Sequence, residues 1–202
     1  MTSRSSAYFA LVSRLKNSGL RYESLIPGSN WGTCQLVLTT REEALAFGDR
    51  ALVLEDLDEN PGIFRGQIMS RLDGGCETIT VGVDPGKRTG LAVFYGESLL
   101  DFGTFNSFAG VCSRIAYFQT KVPCKGLVVR VGNGNKSAAE RLLEDIGRAT
   151  GASIEIVDES GTSARASKIR GARGDEGAAM MIAFRKGVRT EFRSPRSPGR
   201  TV

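Results

Sequence analysis

The chain has 202 residues, 41% of them apolar, and 27 Lys and Arg against 22 Asp and Glu give a net charge of +5. That length and composition suffice for one good core, or for one medium domain and a small one. Histidine is absent, which excludes Ser-His-Asp and Cys-His triads and every histidine general base; an enzyme built on this chain works with carboxylates, lysines, hydroxyls or metals.

Residues 1–76 read as a small α/β unit. Ala7 to Leu15 carries apolar residues at helical spacing, and Asn17-Ser18-Gly19 stops it. Tyr22 to Ile26 and Cys34 to Leu38 are strand candidates. Thr39 or Thr40 can cap a short helix with Glu42 and Glu43 in its first turn. Ala51 to Leu54 is another strand, and Pro61 to Leu72 a helix with Pro at its start. Strands alternating with helices imply a small parallel sheet. No catalytic constellation shows in this unit, so its expected role is that of an accessory domain or a docking domain for a protein partner.

Asp73-Gly74-Gly75 marks the boundary. Thr78 to Asp84, Gly90 to Tyr95 and Leu99 to Phe105 then read as three strands with short turns. A helix over Phe108 to Gln119, a strand over Gly126 to Val131 and a helix over Ala138 to Thr150 follow. Ser153 to Val157 is a strand and Glu176 to Phe184 a helix. Residues 187–202, rich in Arg, Ser and Pro, read as a disordered basic tail.

Charge is unevenly spread. Residues 164–200 hold Arg165, Lys168, Arg170, Arg173, Arg185, Lys186, Arg189, Arg193, Arg196 and Arg200 against Asp175, Glu176 and Glu191, a balance that suits a polyanion partner. Cys34, Cys76, Cys112 and Cys124 form no C-x-x-C pair and read as reduced, mostly buried thiols rather than a zinc site. No apolar run approaches the ~20 residues a bilayer span needs, and the N-terminus lacks a signal-peptide pattern. A cytoplasmic protein with no membrane partner is expected.

The run Val81-Gly82-Val83-Asp84-Pro85-Gly86-Lys87-Arg88-Thr89-Gly90 places an acid at the end of an apolar strand, turns on Pro and Gly, and adds two cations. Val157-Asp158-Glu159-Ser160 ends the last strand with two adjacent acids, and Asp175-Glu176 opens a helix of small residues (Gly177, Ala178, Ala179) that can approach a strand closely. Carboxylates of this kind bind Mg²⁺ or Mn²⁺ through oxygen, and two such ions serve phosphodiester hydrolysis. Each acid also has a plainer reading: Asp84 as the opener of a β-turn, Asp158 and Glu159 as loop acids, Asp175 as a helix N-cap. A second signal is Gly132-Asn133-Gly134-Asn135-Lys136, where a strand runs into a Gly/Asn loop and then a helix with a Ser137-x-x-Glu140 capping box. Free N–H groups there, beside Lys136, can hold a phosphate; an ordinary strand-to-helix turn is the alternative.

These motifs resemble the RNase H-like superfamily, in particular its RuvC/YqgF nuclease branch, over residues 77–186. The resemblance implies an RNase H-like mixed five-stranded sheet flanked by helices, preceded here by the small α/β domain. It implies convergence of the three acidic elements at one sheet edge. Asp84, Glu159 and Asp175 would be catalytic and would ligate Mg²⁺ or Mn²⁺, with Asp158 and Glu176 as further metal-site acids. Lys87, Arg88, Lys136, Arg165, Lys168, Arg170 and Arg173 would contact nucleic acid, either branched DNA or structured RNA. RuvC-type resolvases act as dimers, so a homodimer is open. The strand from Gly126 to Val131 carries Arg130 where those resolvases end in Glu, which hands the second acid to Glu159 as in YqgF proteins. Ser160 stands where YqgF proteins carry Arg, and Arg165, Lys168 or Arg170 would take over that phosphate contact. A metal-dependent nuclease is the first reading; a catalytically silent nucleic-acid-binding module on the same fold, motivated by Arg130, is the second.

Overall fold

The structure, a computed structural model, describes residues 1–26, 28–134, 136–158 and 174–190; the side chains of residues 136–138 and 190 fall outside the description. The chain divides into two compact units, Met1–Cys76 with Lys121–Pro123, and Glu77–Thr120 with Cys124–Val202.

In the first unit, α1 (Ser5–Ser18) and α2 (Pro61–Asp73) accompany a parallel pair, β1 (Val37–Thr39) and β2 (Ala51–Val53). The Asn60 side chain caps α2 by accepting from the N–H groups of Gly62 and Ile63, with Pro61 at the first helical position. Leu15, Leu57, Phe64 and Ile68 form the core. Two sequence expectations fail here. Tyr22 to Ile26 forms no strand, because the sheet ends at two strands and offers it no partner. The helix expected around Glu42 and Glu43 is replaced by short 3₁₀ turns at Ala44–Ala46 and Gly48–Arg50. Glu43 instead reaches back and accepts from the backbone and hydroxyl of Ser3 and from the Thr39 and Thr40 hydroxyls. Burial alone would push the Glu43 carboxyl up, but hydrogen bonding from Ser3, Thr2 and Thr40 holds it well below the usual glutamate range.

The second unit is built on a six-stranded mixed sheet: β3 (Thr78–Asp84), β4 (Thr89–Tyr95), β5 (Ser98–Phe105), β6 (Gly126–Gly132), β7 (Ser153–Val157) and β8 (Val188–Thr190), in the order β5-β4-β3-β6-β7-β8. The β3–β4–β5 meander is antiparallel, β6 and β7 run parallel to β3, and β8 is antiparallel to β7. With α3 (Phe108–Lys121), α4 (Lys136–Thr150) and α5 (Asp175–Phe184), the order from β3 to α5 among the described residues is β-β-β-α-β-α-β-α. The second unit is thus a mixed α/β sheet flanked by helices, with six strands where five were expected. The sixth strand was not expected: Val188–Thr190, read as the start of a tail, pairs with Ile154–Ile156 of β7. Residues 191–202 lie outside the described residues.

Every residue of β4 is buried, which accounts for its near-continuous apolar run. Along β3, Ile79, Val81 and Val83 are fully buried on one face, and α3 and α4 bury Val111, Ile115, Phe118, Leu142 and Ile146. The other face, carrying Gly82 and Ala92, receives α5 through Ala179, Met180 and Ala183. A Cβ on Gly82 would lie 1.9 Å from the Ala179 carbonyl oxygen and 2.7 Å from the Ala183 nitrogen. Only glycine admits a helix backbone at that range. The small-residue contact is therefore made by Ala179 and Ala183 against a glycine on the strand, more than by the expected trio of Gly177, Ala178 and Ala179. Of the four cysteines, all free, only Cys112 is buried and Cys76 is exposed, so the expectation of mostly buried thiols does not hold. No helix among the described residues is long and apolar enough to cross a membrane.

Candidate functional site

The parallel strands β3, β6 and β7 end at one edge of the sheet, at Asp84, Gly132 and Val157. Loops beyond the carboxyl ends of parallel strands are where open α/β sheets place their ligands. α4 starts at this edge, directly after β6. α5 starts there as well, because its first residue lies against β4 opposite the end of β3.

The position of Asp84 follows from register. Gly82 faces α5, and side chains two apart share a face, so Asp84 faces the same side. Its antiparallel partner is Gly90, and directly paired residues point to one face. A Cβ on Gly90 would stand 2.1 Å from the carbonyl oxygen of Asp175 and 3.2 Å from its Cβ. The backbone of Asp175 thus rests on Gly90, beside Asp84. Cross-strand neighbours are about 5 Å apart, which keeps the Cβ atoms of Asp84 and Asp175 within about 8 Å. Two carboxylates so placed can share one cation.

Asp175 is the first residue of α5 and not its cap; Gly174 occupies the cap position. Asp175 and Glu176 both lie in the first turn, where the helix dipole favours negative charge. The Nε of Arg88 stands 3.6 Å from Oδ2 of Asp175. Arg88 and Lys87 are exposed in the turn between β3 and β4. Thr89, next in sequence, is buried at 2% exposure.

Asp158 follows β7 and is exposed. It lies at the same edge as Asp84 but two strands away, about 10 Å in the hydrogen-bonding direction. Its carbonyl oxygen accepts from Nη1 of Arg185 at 2.7 Å, which ties the end of β7 to the residue capping α5. Sequence reasoning did not single out Arg185 for this. Its signal was only its place directly after the small-residue helix.

Arg130 lies two residues inside the edge, beside Gly82 of β3 and Glu155 of β7. Its Nε donates to Oε2 of Glu155 at 2.8 Å and its Nη1 donates to the carbonyl oxygen of Ala183. The guanidinium closes the C-terminal end of α5 and is held on both sides.

The structure therefore brings Asp84 and Asp175 together, with Glu176 adjacent and Asp158 on the same edge. Glu159, Arg165, Lys168, Arg170 and Arg173 lie outside the described residues. Lys136 opens α4 at the edge, but its side chain is among those not described. Among the described residues, no group of three or more His, Cys, Asp or Glu is disposed to hold a metal ion. The pair fits a hard divalent cation in donor type, since both groups supply carboxylate oxygen, and a third acid would have to come from the segment after Asp158. An apolar cavity of about 300 Å³ in the first unit, lined by Leu11, Leu15, Leu38, Ile68 and Leu72, contains none of the candidate acids.

No family model and no curated protein matches the chain. Solved structures similar to it include two of RuvC. The structure of T. thermophilus RuvC in complex with a Holliday junction substrate shares 15% identity at a TM-score of 0.42, over 52% of this chain and 90% of that one. The structure of Thermus thermophilus RuvC shares 15% identity at a TM-score of 0.39, over the same fractions. At these values the likeness concerns the outline of the fold alone.

Proposed function

We propose that this chain is a metal-dependent nuclease that hydrolyses phosphodiester bonds of structured nucleic acid, branched DNA or RNA. The observation that carries this reading is the seating of Asp175 on Gly90, directly across from Asp84. Two acids from distant parts of the chain meet at the ligand-binding edge of the sheet, where Arg88, Lys87 and two helix N-termini supply positive potential.

In this reading Asp84 and Asp175 hold Mg²⁺ or Mn²⁺ through carboxylate oxygen, and Glu159 completes the set. Asp158 and Glu176 stand as further acids at the same edge. When bound, such ions supply an activated water and stabilise the leaving oxygen. The chain's own residues do the rest. Asp84 and Asp175 fix where the cation stands, while Lys87, Arg88 and Lys136 hold the backbone phosphates. The basic stretch from Arg165 to Arg173 guides the strand. Arg130 fastens α5 through Glu155 and Ala183, and the silent-module reading, which rests on the acid missing from that strand, is the one that binding without cleavage would favour.

The test is cleavage of four-way junction DNA, single-stranded DNA, duplex DNA and structured RNA in Mg²⁺ or Mn²⁺, with Asp84→Asn as control. Metal-dependent cutting that the variant loses is expected, and the preferred substrate names the class. Cutting that survives in correctly folded Asp84→Asn would sink the assignment.

A further inference from the structure

The ion pair between Arg88 and Asp175 places two claims on one carboxylate. The function proposed above gives Asp175 to a divalent cation, with metal–oxygen distances of about 2.0–2.1 Å for Mg²⁺. The Arg88 Nε stands 3.6 Å from the same carboxylate. Two positive centres on one carboxylate repel each other, and the smaller, doubly charged one is favoured at close range.

We propose that Arg88 and the divalent cation compete for Asp175, and that Arg88, once displaced, becomes a phosphate contact. Cation binding and nucleic-acid binding are then positively coupled through one side chain. This rests on the metal-site reading of the same edge.

Three features make Arg88 exchangeable. Its side chain is 64% exposed, so no packing holds it in place. Its turn, Gly86 to Arg88, is exposed throughout. An ion pair this open is worth only a factor of about two to five, small enough for a cation to overcome. Arg130 is the contrast within the same unit: 21% exposed and held by two partners, it stays where it is. Linkage supplies the second half. If the cation frees Arg88 for a phosphate, nucleic acid must tighten cation binding by the same factor.

The experiment measures Mn²⁺ affinity by electron paramagnetic resonance, with and without four-way junction DNA, on the full chain and on Arg88→Gln, Lys87→Gln, Asp84→Asn, Asp175→Asn and the Arg88→Gln/Asp175→Asn pair. Arg88→Gln is expected to tighten Mn²⁺ binding about two- to five-fold without DNA, beyond any effect of Lys87→Gln. In the Asp175→Asn background the same change should have no effect. DNA should tighten Mn²⁺ binding to the unaltered chain and do so less for Arg88→Gln. If Asp84→Asn weakens Mn²⁺ binding but Arg88→Gln leaves it unchanged or weaker, the competition is refuted and the metal site stands. If Asp84→Asn leaves Mn²⁺ binding intact, the metal-site reading and the competition fall together.

Discussion

Replacing Gly90 by alanine is the most direct test of how the edge is built. The added Cβ would lie 2.1 Å from the Asp175 oxygen and 2.6 Å from its carbonyl carbon. Ordinary contact begins at 3.4 Å, so the start of α5 must retreat by about 1.3 Å. Both atoms it meets are backbone, and no side-chain rotation relieves the clash. Overpacking of this kind costs about 1–3 kcal/mol. The retreat also carries Asp175 away from Asp84, and a misplacement of about 1 Å at a reacting centre can cost about 100-fold in rate. The expected result is a fall in cleavage of that order, with weakened Mn²⁺ binding and circular dichroism unchanged. Gly103→Ala is the control, since nothing lies within 4 Å of its Cβ, and it should behave as the unaltered chain. Unchanged cleavage and Mn²⁺ affinity in Gly90→Ala would show that α5 does not rest on β4 as described.

Arg130→Met removes a donor to Glu155 and another to Ala183, so urea unfolding should report a loss of about 2–3 kcal/mol. Glu43 is held below the ordinary glutamate value of 4.5. Its contribution is therefore fully present above that pH and is lost as pH falls through the lower folded value. Glu43→Gln should flatten the acid limb of a stability–pH profile, and an unaltered limb would refute the anchoring role. Burial, with the charge of Asp145 adding to it, pushes the Cys112 thiol up, so Cys112 should be the last cysteine alkylated by iodoacetamide at neutral pH and exposed Cys76 the first. Removing residues 191–202, which spares β8, should weaken nucleic-acid binding and flatten its salt dependence; an unchanged slope would mean that Arg193, Arg196 and Arg200 touch no phosphate.

The meander was legible because Thr78 to Phe105 alternates apolar strands with short Pro-Gly and Gly-Glu turns, a local pattern that needs no tertiary information. Asp84 and Asp175 were legible as acids at element ends. What could not be read was how they meet. Gly82 and Gly90 look like interruptions of two strands, and their purpose shows only when a helix backbone lies against them. Arg130 looked like the loss of an acid, because its partners are 25 and 53 residues away in sequence. β8 escaped for the same reason: Val188–Thr190 is only three residues long at the head of an Arg-, Ser- and Pro-rich stretch, and it is fixed as a strand by pairing with β7. Tyr22 to Ile26 is the converse, a segment with strand composition and no neighbour to pair with.

The three contacts of α5 bear on one another. Gly90 seats its first residue, Gly82 receives Ala179 and Ala183, and Arg130 binds the carbonyl of Ala183 near its last turn. A helix held at both ends and in the middle cannot slide along the sheet without breaking at least one of these contacts. The separation of Asp84 and Asp175 is therefore set by backbone packing of α5 on Gly90 and Gly82 and not by the carboxylates themselves, the condition for a site to be organised before its ligand arrives. Arg130→Met and Gly90→Ala should consequently differ in kind. The first loosens the far end of α5 while Gly90 still seats Asp175, so stability should fall more than Mn²⁺ affinity. The second moves Asp175 itself, so Mn²⁺ affinity should fall more than stability. Equal loss of both quantities in both variants would mean that α5 moves as one rigid rod and that the near end has no independent hold.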